Sequence, residues 1–273
     1  MLEIDDFIDK LNRKGTLNPV SESTRKGYRN SLEQFQRFLG GRQPSQELAQ
    51  QWLQELLDKG KKPAAVATHG FALRRYFTDY LKHRDIVILL PTAESDTIPD
   101  YLEPEEIDRL LASCQTPLET ALVTILCDTG LRISEFLALT INDIDWDNGF
   151  LFAHREKTKR AGWIPVSRRS LDVLEKYLTW RHSKDKRIFP FEYNDIWCRL
   201  RKLSRRTGMG NRVHCHLFRH TAAALRRIAG NEITDIADLL GHKSLASTRR
   251  YQNIKPVALK QRLKPIFKDE DNG

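Results

Sequence analysis

Two short stretches of the chain carry the residue types needed for phosphoryl transfer. His216-Leu217-Phe218-Arg219-His220 is followed downstream by Gly241-His242 and then by Tyr251. His216 and Arg219 are three positions apart and share a face if the segment is helical. The second histidine and the tyrosine beyond them complete a set able to handle a phosphodiester. Splitting that bond without a metal demands cations against the non-bridging oxygens, a nucleophile in line and a proton donor for the leaving oxygen. Arginine suits the first role, because its planar fork pairs bidentately with phosphate and keeps its charge. Two arginines qualify by context: Arg219, amid Leu217, Phe218 and Ala222 to Ala224, and Arg132, which follows the glycine break of Asp128-Thr129-Gly130-Leu131. Such a set would suit an enzyme that cuts DNA with a tyrosine nucleophile.

Taken singly, each has an ordinary reading. Arg132 reads equally as a surface salt-bridge partner of Glu135, Arg219 as a snorkelling side chain, and His216 as a satisfied structural histidine. His214-Cys215-His216 suggests a metal, yet two further ligands of a tetrahedral set are missing nearby, so no metal site is expected. Cys114, Cys127, Cys198 and Cys215 are scattered without paired spacing. Neither a zinc site nor a disulfide framework follows, which fits a reduced intracellular setting.

The elements that must position these groups are mostly helical. Tyr28, Leu32, Phe35 and Phe38 fall at helical spacing between Ser23 and Leu39, with Ser23 or Thr24 as cap and Gly40-Gly41 as stop. Further helices are expected near 4–11, 45–57 and 64–81, making a small all-helical bundle. Between 83 and 104 the pattern breaks at Pro91, Pro99 and Pro104, and residues 86–103 read as an interdomain linker. Glu103-Pro104-Glu105-Glu106 then resembles a helix start. Helices are expected at 104–114, 117–129, 132–139, 170–181, 192–206, 217–229, 233–240, 246–250 and 256–263. Asp147-Asn148-Gly149 is a turn signal between apolar runs, and Trp163-Ile164-Pro165-Val166 is strand-like, so two or three strands form a small sheet. The fold class is mainly α with a small antiparallel β-sheet in the C-terminal domain. The domains are a helical one at 1–85, the linker at 86–103 and a second domain at 104–273.

Composition agrees with a polyanionic partner. The 273 residues exceed the usual single domain, and 45 Lys plus Arg against 36 Asp plus Glu give a net charge of +9. The acidic start has no apolar signal core, and no run approaches the roughly twenty apolar residues of a membrane span. A soluble, cytoplasmic protein without membrane contact is expected.

In combination, the motifs resemble the tyrosine recombinase (phage integrase) family. Thr129-Gly130-Leu131-Arg132-Ile133-Ser134-Glu135 looks like its first arginine box, and His216-Leu217-Phe218-Arg219-His220 like its His-x-x-Arg-His box. Leu239-Leu240-Gly241-His242-Lys243-Ser244, continued through Thr248 to Tyr251, looks like the terminal block with the nucleophile. Order and spacing agree over roughly Glu103 to Tyr251, and three concordant boxes are a far more specific signal than any one. The first domain resembles, more loosely, the family's core-binding SAM-like helical domain.

The resemblance implies a two-domain clamp on double-stranded DNA. It also implies a transesterification in which Tyr251 attacks the scissile phosphorus, leaving a 3′-phosphotyrosyl bond and a free 5′-hydroxyl. Arg132 and Arg219 would stabilise the phosphorane, His216 and a hairpin lysine would move protons, and His242 would hydrogen-bond a non-bridging oxygen. Counting back from Pro165 selects Lys157 as that lysine, with Lys159 as the alternative. Glu135 and His220 are expected to orient neighbours. Metal, nucleotide and other cofactors are not implied, nor is any particular accessory protein.

Other basic residues are expected to grip phosphates: Arg25, Lys26, Arg29, Arg74, Arg75, Lys159, Arg201, Lys202 and Arg205, with Arg199 and Arg206 beside them. Strand exchange implies a synaptic tetramer, and the amphipathic piece from Pro256 to Phe267 would dock on a neighbouring protomer or on its own domain. The stretch before the first helix leaves no room for an arm-type domain, so a compact, Xer-like member is expected. The rival readings are a type IB topoisomerase or telomere resolvase with the same chemistry, and a non-catalytic DNA-binding protein on the same scaffold.

Overall fold

The computed structural model describes residues 2–12, 14–91, 98–155, 161–242 and 244–254. The chain divides into two compact units, Met1–Ser95 and Asp96–Gly273.

The first unit is a helical bundle of α1 (Ile4–Lys10), α2 (Glu22–Leu39), α3 (Gln46–Asp58) and α4 (Pro63–Arg75). Short hydroxyl side chains cap the starts of α2 and α3: Ser21 Oγ accepts from the Thr24 amide at 3.2 Å and Ser45 Oγ from the Leu48 amide at 3.3 Å. Helical spacing places Leu32, Phe35 and Leu39 of α2 on one buried stripe, which packs with Phe7, Trp52, Leu73, Tyr76 and Phe77. The expected helix at 64–81 holds α geometry only to Arg75, after which Tyr76–Tyr80 widens into a π-helical turn. Part of the stretch read as linker is built into this unit. Ile88 is fully buried, and the amides of Val87 and Leu89 donate to the side-chain oxygens of Gln46 and Gln50, one helical turn apart on α3.

The second unit centres on α6 (Pro117–Thr129), packed between α8 (Arg168–Arg181) and α10 (Cys215–Ile228). Its Leu118, Leu122, Ile125 and Leu126 are buried, so the helix is apolar nearly all round, as an internal helix must be. Around it lie α5 (Pro104–Ala112), α7 (Ile133–Leu137), α9 (Tyr193–Arg206) and α11 (Ile233–Leu240). A three-stranded antiparallel sheet of β1 (Ile144–Asp145), β2 (Phe150–Ala153) and β3 (Gly162–Pro165) has the order β1-β2-β3. Leu151 pairs with Ile164 on the buried face, and Phe152 with Trp163 on the outer one.

In this unit two expected boundaries are corrected. The helix expected at 217–229 begins at Cys215, because the His214 ring, an uncommon cap, accepts from the Leu217 amide at 3.1 Å. His216 is therefore inside the first turn of α10. The helix expected at 246–250 is a pair of 3-10 turns, Leu245–Ser247 and Arg249–Tyr251. So short a run closes only i+3 bonds, Thr248 onto Leu245 and Tyr251 onto Thr248. The helix expected at 256–263 lies outside the described residues.

Candidate active site

A glycine turn sets the first arginine. At the end of α6, Gly130 adopts φ +61°, and the chain doubles back so that Arg132 becomes the N-cap of α7. Glu135, only 5% exposed, accepts from the Arg132 amide at 3.0 Å and from its Nη1 at 2.7 Å. A buried carboxylate requires such partners, and the pairing fixes the direction of the Arg132 side chain, which stays about a quarter exposed at 26%.

Arg219, on α10, is buried. Its Nη1 donates to Gly130 O at 2.7 Å and its Nη2 to Leu240 O at 2.6 Å, so one guanidinium ties the end of α6 to the end of α11. Helix C-termini carry partial negative charge and favour a cation there. Burial, with Arg132 close by, lowers this guanidinium to about 10, which still leaves it charged at neutral pH.

The tyrosine is equally enclosed. Tyr251 is 2% exposed, and its hydroxyl lies 2.5 Å from His220 Nδ1. Burial pushes the phenol up to about 12 against the opposing pull of Arg250 and Arg219. His220 is depressed to about 4 by burial, then by His216 and Arg250. At neutral pH the phenol therefore keeps its proton and shares this hydrogen bond with a neutral imidazole, the tautomer of His220 setting which of the two donates. His216 meets His220 edge-on, ring centroids 4.5 Å apart, and its imidazole is likewise held below the ordinary range by desolvation and by Arg219.

His242 follows the left-handed Gly241 that ends α11. Its Nδ1 is 2.7 Å from the hydroxyl of the buried Thr248, and burial next to Arg219 and Arg132 depresses it to about 4. The structure thus gathers Arg132, Glu135, His216, Arg219, His220, His242 and Tyr251 from α7, α10, the end of α11 and the last 3-10 turn. It places His220, rather than His216, against the hydroxyl of Tyr251. Lys157 and Lys159 lie outside the described residues.

One group at this site was not anticipated from the sequence. Arg155, two residues beyond β2, is only 6% exposed and donates from Nη1 to Asp238 O at 3.1 Å and from Nη2 to Leu239 O. It was hidden in the charged run that follows the strand. The one available signal is the alternation of β2, which continues from Leu151 and Ala153 to place residue 155 on the buried side.

The expected phosphate-gripping residues have intramolecular partners in several cases. Arg25 donates to Asn12 Oδ1, Lys26 pairs with Glu22, and Arg29 pairs with Asp5. Arg74 donates to Ile88 O at 2.8 Å, and Arg75 binds Asp79 at 2.8 Å and Asn18 O at 3.2 Å, so both hold the first unit's own chain together. On α9, Arg201 stacks 4.8 Å over exposed Trp197, Lys202 and Arg205 are exposed, and Arg206 pairs with Glu119.

Comparison with known proteins gives concordant matches. The phage integrase family profile covers residues 100–256, and the profile of the phage integrase N-terminal SAM-like domain covers residues 4–85. The chain is 28% identical to tyrosine recombinase XerC of Oceanobacillus iheyensis over 290 aligned positions, spanning 95% of this chain and 94% of that one. It is also 28% identical to tyrosine recombinase XerA of Saccharolobus solfataricus, where the match spans 56% of this chain and 52% of that protein. The fold matches the Tn1549 transposon integrase in complex with transposon right end DNA, with a TM-score of 0.76, 16% identity and coverage of 96% of this chain and 98% of that one.

Proposed function

The chain belongs to the phage integrase family of tyrosine recombinases, and on that premise we propose that it is a site-specific DNA recombinase of Xer-like type. It cuts and rejoins duplex DNA through Tyr251. The observation that carries this reading is the buried phenol of Tyr251, hydrogen-bonded to a neutral histidine with Arg219 close enough to act on its ionisation.

In the proposed reaction the Tyr251 oxygen attacks the scissile phosphorus, a phosphotyrosyl bond forms at the 3′ side, and the bond to the 5′ oxygen breaks. The phenolic proton passes to His220 Nδ1, 2.5 Å away, in the tautomer that leaves this nitrogen unprotonated, with His216 as the next carrier along α10. Arg132 and Arg219 stabilise the charge that builds on the non-bridging oxygens. His242, its Nδ1 engaged by Thr248, presents its Nε2–H to one of those oxygens. The departing 5′ oxygen takes a proton from Lys157, an assignment that rests on the family's sequence pattern. Rejoining reverses these steps with a 5′-hydroxyl from the partner duplex as attacking group. Exchange of two duplexes needs four cleavages, so the working form is a tetramer on DNA in the cytoplasm. The exposed basic face of α9, with Lys202 and Arg205, supplies phosphate contacts.

The test uses chromosomal DNA of the source organism, sheared and lightly nicked with DNase I. A nick close to a scissile phosphate lets the short strand leave and traps the covalent adduct. Wild type should retain DNA through denaturing washes, with the retained fragments sharing a common sequence, and Tyr251→Phe should retain none. Absence of any adduct from wild type, or equal retention by Tyr251→Phe, defeats the proposal. A plasmid bearing two copies of the recovered site separates recombination from topoisomerase-like relaxation.

A further inference from the structure

The last turn of α11 offers carbonyls that no helical amide can reach. Three consecutive carbonyls at this end are bound by two arginines: Asp238 O, which also accepts from the Gly241 amide at 3.0 Å, and Leu239 O by Arg155, and Leu240 O by Arg219. Immediately beyond, Gly241 turns at φ +61°, and a Cβ on it would run into Nη1, Cδ and Cζ of Arg155, so the arginine lies directly against the turn. The next residue is His242, whose amide closes back onto Ala237 O at 2.9 Å.

Burying an arginine for this purpose is unfavourable in itself. Its Nε is enclosed and donates to no acceptor among the described residues, and burial holds the guanidinium below its ordinary range. An apolar side chain would fill the space without that penalty. What an apolar side chain lacks is the planar fork that spans two successive carbonyls and so fixes the rotation of the turn carrying His242.

Resting on the recombinase reading above, we propose that Arg155 is a positioning residue for His242, clamping the C-terminal carbonyls of α11 so that the Gly241 turn presents the imidazole to the scissile phosphate. The groups facing that imidazole from other elements are Arg219 of α10, Arg132 at the start of α7 and Arg250 of the last 3-10 turn. Arg155 itself makes no contact with the substrate in this proposal.

The test begins without DNA, on the full chain, by following the imidazole NMR resonances of His242 and His216 as a function of pH. Arg155→Lys keeps the charge but cannot span two carbonyls. It should raise the His242 titration point by about one pH unit as the turn loosens and becomes hydrated, while His216 is unchanged. Arg155→Met should raise it further. A wild-type His242 titration in Arg155→Lys overturns the proposal, because the arginine would then act only as a charge. The second measurement is the rate of covalent adduct formation on the nicked site recovered from chromosomal DNA. Arg155→Lys should slow it about ten- to a hundredfold, the penalty of a small misplacement at a reacting centre. In a His242→Ala background it should slow it less than about twofold, since the two residues act as one unit. Equal slowing in both backgrounds also overturns it. If wild type forms no adduct, the recombinase reading falls, while the titration still decides whether Arg155 sets the state of His242.

Discussion

Replacing Gly130 with alanine tests the hinge on which both arginines depend. Gly130 has φ +61°, and a Cβ there would approach Leu240 Cδ2 to 2.9 Å and Ala222 Cβ to 3.0 Å. Two penalties therefore combine. The left-handed conformation costs an L-residue about 1–2 kcal/mol, and forcing a methyl into a packed junction of α6, α10 and α11 costs about 1–3 kcal/mol more. Gly208 separates them, because it lies in the same unit at φ +74° with nothing within 4 Å of where a methyl would stand. Gly208→Ala should lose only the backbone part, and Gly130→Ala about 2–5 kcal/mol in all. Urea unfolding followed by tryptophan fluorescence measures both, since Trp146, Trp163, Trp180 and Trp197 all lie in the second unit and only Trp52 in the first. Equal losses in the two variants would refute the packing argument, and an unchanged midpoint in Gly130→Ala would refute the geometry of the hinge itself.

Acid should weaken the fold before the carboxylates titrate. His220 and His242 are held near 4 in the folded chain against about 6.5 when unfolded. Between those values the unfolded chain binds more protons, so stability falls as pH is lowered, by up to about 1.4 kcal/mol per pH unit for each histidine, and this contribution flattens below about pH 4; identical urea midpoints at pH 7 and pH 5 would contradict it. His214 caps α10 through a ring nitrogen that must be unprotonated, and its titration is likewise depressed by burial. Replacement by serine, whose hydroxyl caps at any pH, should gain more stability at pH 5 than at pH 8, and a pH-independent difference would remove the cap from the account. Glu135→Gln removes the charge that Arg132 pairs with in a buried position and should lose about 1–3 kcal/mol, read as a shift in the urea midpoint; a shift near zero would mean the pair contributes nothing to the fold.

Much of the second unit was legible from periodicity and punctuation. The α6 helix with its stop at Gly130, the hairpin turn at Asp147-Asn148-Gly149 and the end of α11 at Gly241 are local matters, set by apolar spacing and by the one residue type that accepts a left-handed turn. The two boundaries that moved show where local rules fail. A histidine cap at His214 is outside the usual cap vocabulary, and the stretch 245–251 is too short for its helical propensity to decide between α and 3-10 geometry.

The sequence by itself singles out Arg132, His216, Arg219, His242 and Tyr251 as the candidates for the chemistry, because residue type and the three-box order do not depend on coordinates. Only the tertiary structure decided how they are arranged. His220 rather than His216 meets the Tyr251 hydroxyl, since a helix places both histidines on one face and only the packing of the last 3-10 turn selects between them. Arg155 emerged for the same reason. Its partners lie more than eighty positions away at the end of α11, and no local pattern encodes which carbonyls a buried guanidinium will find across a folded core.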